Sequence, residues 1–203
     1  EDAKKVIVEC DNDGACNLIL EHLVETPKEQ KYFERVTNLL ILTNETPLRV
    51  MVDLASALGL TATIKDSALA GEARVVGEAI ARALAAAPAR SVHLYGGETT
   101  VIIRGGGRGG RNQELALGAL SILSTGECVL AFASDGVDNS DHAGALCDTI
   151  TGERARAAGL NPVARLDQND SYTFFSTVGD YLDTGRTGAN VSDLIIALKL
   201  KHE

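Results

Sequence analysis

Basic residues are scarce in this chain. Nineteen Lys and Arg stand against 28 Asp and Glu in 203 residues, a formal charge of −9. Binding to nucleic acid depends on neutralising phosphates with Lys and Arg, so the balance argues against that partner. It leaves room for a small anionic ligand, which senses only its local field. Long apolar runs are absent too. None reaches the roughly 18 residues a bilayer span requires, so no membrane partner is expected. Cysteine is limited to Cys10, Cys16, Cys128 and Cys147, with no C-x-x-C pair and no His at zinc-ligand spacing. They read as free thiols of a reducing compartment, with Cys128 buried at the head of an apolar run. The N-terminal EDAKK lacks the basic-then-apolar order of a secretory signal. The first residue is not Met, which reads as processing or trimming, and a cytoplasmic protein is the expectation.

Proline is also rare, at 4 residues, whereas glycine is plentiful, at 20, and clustered. That combination points to tight backbone turns at a site. Apolar residues make up 45% of the chain, which argues against disorder. A chain of this length buries roughly two thirds of its unfolded surface and needs no metal or disulfide to fold.

Residues 1–37 read as a polar lead-in of short helices. A regular alternation follows. Asn38–Thr43 is a β-type run, and Asn44, Thr46 and Pro47 open a helix whose apolar residues Leu48, Met51, Val52, Ala55 and Leu58 recur at helical spacing. Thr61–Ile64 reads as a strand. Val76, Ala79, Ile80, Ala83, Leu84 and Ala87 form a second helical stripe, stopped by Pro88. Ser91–Tyr95 and Thr99–Arg104 read as two close strands, a hairpin or bent pair. A third helix starts near Arg111, and Cys128–Ala133 is an apolar strand of the kind buried on both faces of a parallel sheet. Helices near 151–159 and 169–178 and a last apolar run, Leu194–Leu200, complete the series. Strands alternating with helices of 10–15 residues imply βαβ units. The expected fold is therefore α/β: a three-layer αβα sandwich with a mostly parallel, Rossmann-like sheet. Residues 1–90 are expected to form one lobe and 91–203 the main α/β domain.

In such sheets ligands sit at the carboxyl ends of strands, and three loops there combine glycine with charge. Gly96-Gly97-Glu98 follows a strand, and Glu98 can ligate a metal or hold a hydroxyl, the alternative being an ordinary hairpin turn. Gly105-Gly-Gly-Arg108-Gly-Gly-Arg111-Asn112-Gln113-Glu114 runs from a strand into a helix. A helix N-terminus offers unpaired N–H groups and partial positive charge, and Arg108 and Arg111 add forked donors for phosphate or carboxylate. The alternative is a flexible surface loop. Gly105, Gly107 and Gly110 also spell G-x-G-x-x-G, with Asp135 at the end of the next strand. With so many other glycines that match is nearly automatic, and a nicotinamide site ranks below an anion site.

Ser134-Asp135-Gly136-Val137-Asp138 places carboxylates on one strand-end loop, an oxygen environment suited to Mg²⁺ bound with substrate phosphates, or else a solvated Asp-Gly turn. Asn190 and Asp193, in a hydroxyl- and glycine-rich turn before the last strand, either bind substrate hydroxyls or fasten neighbouring loops. His142 is the only histidine placed for acid–base work, since His22, His93 and His202 lie away from these loops.

Four ordered segments, GGETTV (96–101), GRGGRNQELAL (107–117), SDGVD (134–138) and TGRTGANVSDL (184–194), together resemble the C-terminal MOFRL domain of the glycerate 2-kinases. That family is also known as hydroxypyruvate reductase of the tartrate-degradation type. Residues 38–81 resemble the closing part of the family's N-terminal domain, so 1–90 would be a remnant of that lobe and 91–203 the MOFRL-type domain. The resemblance implies ATP- and Mg²⁺-dependent phosphorylation of D-glycerate, a small anionic hydroxy acid, to 2-phosphoglycerate. By motif, Arg111, Glu98 and Asp135 would be catalytic. Gly107, Arg108, Gly109, Gly110, Asn112 and Asn190 would bind the cofactor, and Asp135 and Asp138 the metal. Family members are much longer, and where their pattern reads TGPTGTNVND this chain has Arg186, Ala189 and Ser192. Three readings follow: a glycerate 2-kinase or its C-terminal part, an NAD(P)H-dependent hydroxypyruvate reductase, and a non-catalytic phosphate- or nucleotide-binding module. Homo-oligomerisation is compatible with each.

Overall fold

A computed structural model describes residues 2–10, 20, 22–24 and 26–200. Cys16 and His202, and the side chain of Cys10, lie outside the described residues. The chain divides into two compact units, Glu1–Leu40 and Ile41–Glu203. Among the described residues the first contains helix α1 (Asp2–Cys10) and a 3₁₀ turn (Gln30–Tyr32).

The second unit holds helices α2 (Glu45–Ala57), α3 (Ala73–Ala85), α4 (Arg111–Leu120), α5 (Thr149–Ala157), α6 (Pro162–Asp167) and α7 (Ser171–Val178). Its strands are β1 (Thr61–Leu69), β2 (Ser91–Gly97), β3 (Glu127–Ala133), β4 (Gly144–Asp148), β5 (Tyr181–Leu182) and β6 (Asp193–Lys199). They form one six-stranded sheet in the order β1-β2-β6-β3-β4-β5. Alternate residues of the strands feed two cores. Val92, Leu94 and Leu194 pack with Leu48 and Ala55 of α2. Val129, Ala131, Ile195 and Ala197 pack on the other side with Ile80, Leu84, Leu115, Phe174 and Phe175. The expected α/β architecture with helices on both faces is present.

The sheet is not mostly parallel. Only β1 and β2 pair in parallel; β2–β6, β6–β3, β3–β4 and β4–β5 are all antiparallel. The helix-connected strands β2 and β3 do point the same way, but the C-terminal strand β6 is inserted between them with the opposite sense. Strand β3 is therefore a central strand with antiparallel neighbours on both sides, and not part of a buried parallel run.

Two expected strands are irregular segments. Residues 38–43 are non-regular, and Ile41 is 90% exposed. Residues 101–104 are also non-regular, with a single parallel bridge from Thr100 to Glu72. Val101, Ile102 and Ile103 have strand-forming side chains, but β2 is already paired on both sides, with β1 and β6, which leaves no free edge beside it.

Helices α3 and α4 touch backbone to backbone. A Cβ added to Gly77 of α3 would lie 2.0 Å from the Leu115 carbonyl oxygen, and one on Gly118 of α4 would lie 2.5 Å from that of Arg74. Ala73, Ala81, Ala116 and Ala119 are all fully buried. This contact fixes α4 against α3. Gly77→Ala should destabilise the protein by about 2–3 kcal/mol through overpacking, despite a gain of about 1 kcal/mol in helix propensity. Urea unfolding checks this, and an unchanged or raised midpoint contradicts it.

Candidate functional site

The site forms where β2 and β3 end and β6 begins. Asp193, the first residue of β6, lies opposite Gly97 on one side and Ala133 on the other. Its carboxylate is 2% exposed and points at the first residue of α4. Arg111 donates Nε to Asp193 Oδ2 at 2.6 Å and Nη2 to Oδ1 at 3.1 Å. This forked pair leaves Nη1 facing Glu98, 3.4 Å from Oε1. The Asp193 hydrogen bond raises the Arg111 pKa against the opposing effect of burial, so the guanidinium stays charged. Asp193 therefore fastens the site, one of the two roles its sequence position allowed.

The N-terminus of α4 is already occupied by an internal anion. Its N-cap, Gly110, has no side chain to accept the exposed N–H groups. Asp138, from the loop after β3, takes that part. Its Oδ1 accepts from Asn112 N at 3.1 Å and Asn112 Nδ2 at 3.2 Å, and its Oδ2 from Gln113 N at 2.9 Å and Gln113 Nε2 at 3.2 Å. The carboxylate is 1% exposed. Burial raises its pKa above the ordinary carboxylate value, against the opposing effect of the Gln113 and Asn112 donors. Two N–H groups that the sequence offered to a phosphate are thus used within the protein. Asn112 lies buried on Asp138, and Asp138 is turned toward the helix.

The glycine-rich loop rests on the turn between α6 and α7. Gly107 N donates to Gln168 O at 2.8 Å, and Tyr172 N to Arg108 O at 2.9 Å. A Cβ on Gly107 would lie 2.5 Å from Gln168 O, and one on Gly110 would lie 2.0 Å from Asp138 O. Gly105 and Gly109 are similarly pressed against Gln168 and Ser171, while Gly106 faces open space. Close approach to the protein's own backbone accounts for most of these glycines.

Arg108 lies over the Tyr172 ring at 3.9 Å and pairs with Asp141, which also accepts from the Tyr172 hydroxyl at 3.1 Å. Beneath Tyr172 the stack continues through His142, at 4.5 Å, to Tyr181, a further 4.0 Å on. The buried His142 Nδ1 has no hydrogen-bond partner among the described residues. His142 is a layer of this stack, although the sequence placed it for acid–base work.

Asp135 is half-buried; Val137 N donates to Oδ1 at 3.0 Å and Asn190 Nδ2 to Oδ2 at 3.4 Å. Thr187 Oγ1 donates to Ser134 O at 2.6 Å, so the 184–192 turn is strapped onto the Asp135 loop. Beside these groups a cavity of about 600 Å³ is lined by Glu98, Thr99, Ile103, Asn169, Gly107 and Gly109 to Arg111, with Arg108 at its wall. Asp135, Asp138 and Asn190 are not among its lining residues. Among the described residues, no group of three or more His, Cys, Asp or Glu is placed to hold a metal ion. Nor is any described helix long and apolar enough to cross a membrane.

Sequence reasoning missed Asn169, Tyr172 and Arg74. The available signal was the Asn169-Asp170 pair between two helices, since Asn tolerates the left-handed region, where Asn169 has φ 52°.

The class defined by these features is an open three-layer α/β sheet with an arginine-bearing cavity at its strand ends. The sequence pattern of the MOFRL family matches residues 91–193, and the chain belongs to that family. It is similar to the glycerate 2-kinase of Pyrococcus horikoshii, 37% identical over 86% of this chain and 41% of that protein. It is also similar to a putative hydroxypyruvate reductase of Agrobacterium vitis, 39% identical over 70% of this chain and 40% of that one. The crystal structure of a Thermotoga maritima glycerate kinase matches with a TM-score of 0.78 at 32% identity, over 92% of this chain and 50% of that one. The chain thus spans about half the length, or less, of these relatives.

Two predictions follow from the site's electrostatics. Asp138→Ala should cost roughly 3 kcal/mol, more than the ~1 kcal/mol of an ordinary cap, because two buried side-chain amides lose their acceptor as well. Chemical denaturation measures it, and a loss typical of a surface cap contradicts the assignment. Burial holds the His142 pKa below its ordinary value, with Asp141 and Asp183 pulling it up and Arg108 down. Burial, with Lys65, lowers His93 as well. The stability that depends on neutral imidazole is present above about pH 6.5 and lost as pH falls through the lower folded-state value. The urea midpoint should therefore drop between about pH 7.5 and pH 5.5, and His142→Phe should drop less. Equal drops in the two proteins contradict this.

Proposed function

We propose that this chain is the C-terminal part of a cytoplasmic glycerate 2-kinase, acting with ATP and Mg²⁺ on D-glycerate to give 2-phosphoglycerate. In this reading residues 1–90 are the remnant of the N-terminal lobe and 91–203 the MOFRL-type domain. The observation that carries it is the Arg111 guanidinium, held by Asp193 on two nitrogens, with the third turned to Glu98, at a cavity that both residues line. Phosphoryl transfer relies on positioning and charge neutralisation, and a fixed cation at a strand-end cavity supplies both. Arg111 would bind the transferring phosphoryl group, with Arg108 and the edges of Gly107, Gly109 and Gly110 along the phosphate chain. Glu98, 62% exposed and beside Arg111, would hold the substrate hydroxyl and accept its proton.

In this reading the metal would arrive with the nucleotide. Mg²⁺ is commonly held by one or two carboxylates plus substrate phosphates, and half-buried Asp135, steadied by Asn190 though not itself lining the cavity, would provide one such carboxylate. Asp138, turned to the helix, supports that loop from behind. Bound Mg²⁺ would neutralise charge on the phosphates.

The reductase reading stands second, supported by the Agrobacterium relative's name. It is weakened by the packing of Gly105, Gly107 and Gly110 against the protein's own backbone, which accounts for these glycines without a dinucleotide.

The test is titration of Mg·ADP and of NADH into wild type and Arg111→Lys. Lysine keeps a charge beside buried Asp193 but loses the outward Nη1. Wild type should bind ADP and not NADH, and the variant should melt within a few degrees of wild type with ADP binding weakened about thirtyfold, equivalent to roughly 2 kcal/mol. Unchanged ADP affinity in the variant refutes the role of Arg111. Binding of NADH in place of ADP selects the reductase.

A further inference from the structure

Asn169 sits in the turn between α6 and α7, 7% exposed and in the left-handed region. Its side chain is fully used. The Oδ1 accepts from Arg104 N at 2.6 Å and Gly105 N at 3.0 Å. The Nδ2 donates to Ile102 O at 3.1 Å and to Glu114 Oε2 at 2.9 Å. An amide has two donor hydrogens and two acceptor positions, and all four are engaged here. Three of these bonds hold the stretch that leads into the glycine-rich loop, a stretch outside any strand. The fourth reaches Glu114 in the first turn of α4, the helix that leaves the loop. Glu114 is itself buried and bonded to Arg74 Nε at 3.1 Å on α3.

The flanking residues continue the same function. Gln168 O receives Gly107 N at 2.8 Å, and Asp170 Oδ1 receives Arg108 N at 3.4 Å. Asn169 also lines the 600 Å³ cavity. We propose that Asn169 is the positioning residue of this cavity: by tying residues 102–105 to the start of α4 it fixes where Arg108 and Arg111 stand for a phosphate-bearing ligand. This rests on the reading of the cavity as a nucleotide site.

The residue type follows from the geometry. Aspartate would supply both acceptors but place a second carboxylate against Glu114 and lose the donor to Ile102. Glycine would keep the left-handed backbone and lose every side-chain bond. Alanine would add backbone strain to that loss.

The experiment compares the full chain with Asn169→Gly, Asn169→Asp and a control, Asn161→Ala. Asn161 caps α6, its Oδ1 accepting from Val163 N and Ala164 N, at the end of that helix away from Asn169. Amide hydrogen exchange should rise at least tenfold across residues 102–110 in Asn169→Gly and stay near wild type in Asn161→Ala at a comparable melting temperature. In Asn169→Asp the Arg104 and Gly105 amides should stay protected. Mg·ADP should bind at least tenfold more weakly to both Asn169 variants than to the control. Exchange unchanged in Asn169→Gly, or raised equally by Asn161→Ala, overturns the proposal, as does undiminished ADP affinity in both Asn169 variants. If Asn169→Gly does not fold, loss of Arg104 and Gly105 protection in Asn169→Asp overturns it, and retained protection with weakened ADP binding supports it. A wild type that binds no ADP removes the nucleotide reading, and the exchange comparison still decides whether Asn169 positions the loop.

Discussion

The buried Asp138 carboxylate at the start of α4 is the constraint on which the other parts of the site depend. It neutralises the exposed N–H groups of a helix whose own N-cap is glycine. It also ties the loop after β3 to the helix that follows β2, two segments with no covalent proximity. Because the helix terminus is filled from inside, an anion entering the cavity meets arginine side chains in place of the Asn112 and Gln113 amides. The helix dipole still has a role, acting on Asp138 and through it on the placement of the loop.

The reversed strand β6 supplies the second fixed charge. Inserting it between β2 and β3 brings Asp193 to the point where two strands end and one begins. From there its carboxylate reaches the first residue of α4, and the pairing uses two of the three Arg111 nitrogens. Three segments distant in sequence, those of Glu98, Arg111 and Asp193, thus converge on one guanidinium. The glycine-rich loop completes the wall, and its glycines are required chiefly because it lies so close to residues 168–171 and 138.

Much of this was legible in the sequence. The apolar periodicity of residues 48–58 and 76–87 marks α2 and α3, and the glycine cluster followed by an apolar stripe marks the entry to α4. The motif loops do gather Glu98, Arg108 and Arg111 at one cavity. Strand direction was not legible, because the placement of β6 depends on pairing with β3 across the 59 residues of chain between them. The 99–104 run has strand-forming side chains but no strand edge to join. Asp138 looked like a metal ligand because Asp-Gly loops at strand ends suit Mg²⁺; its amide partners lie 25 and 26 residues upstream, beyond any local pattern. Asn169 was invisible for the same reason, since its bonds run to Ile102, Arg104, Gly105 and Glu114.

The most direct measurement is a crystal structure of the protein soaked with inorganic phosphate or a non-hydrolysable ATP analogue. The account requires phosphate oxygens within hydrogen-bonding distance of Arg111 Nη1, with Asp138 still on the amides of Asn112 and Gln113. Phosphate bound directly on those amides, with Asp138 displaced, would contradict it.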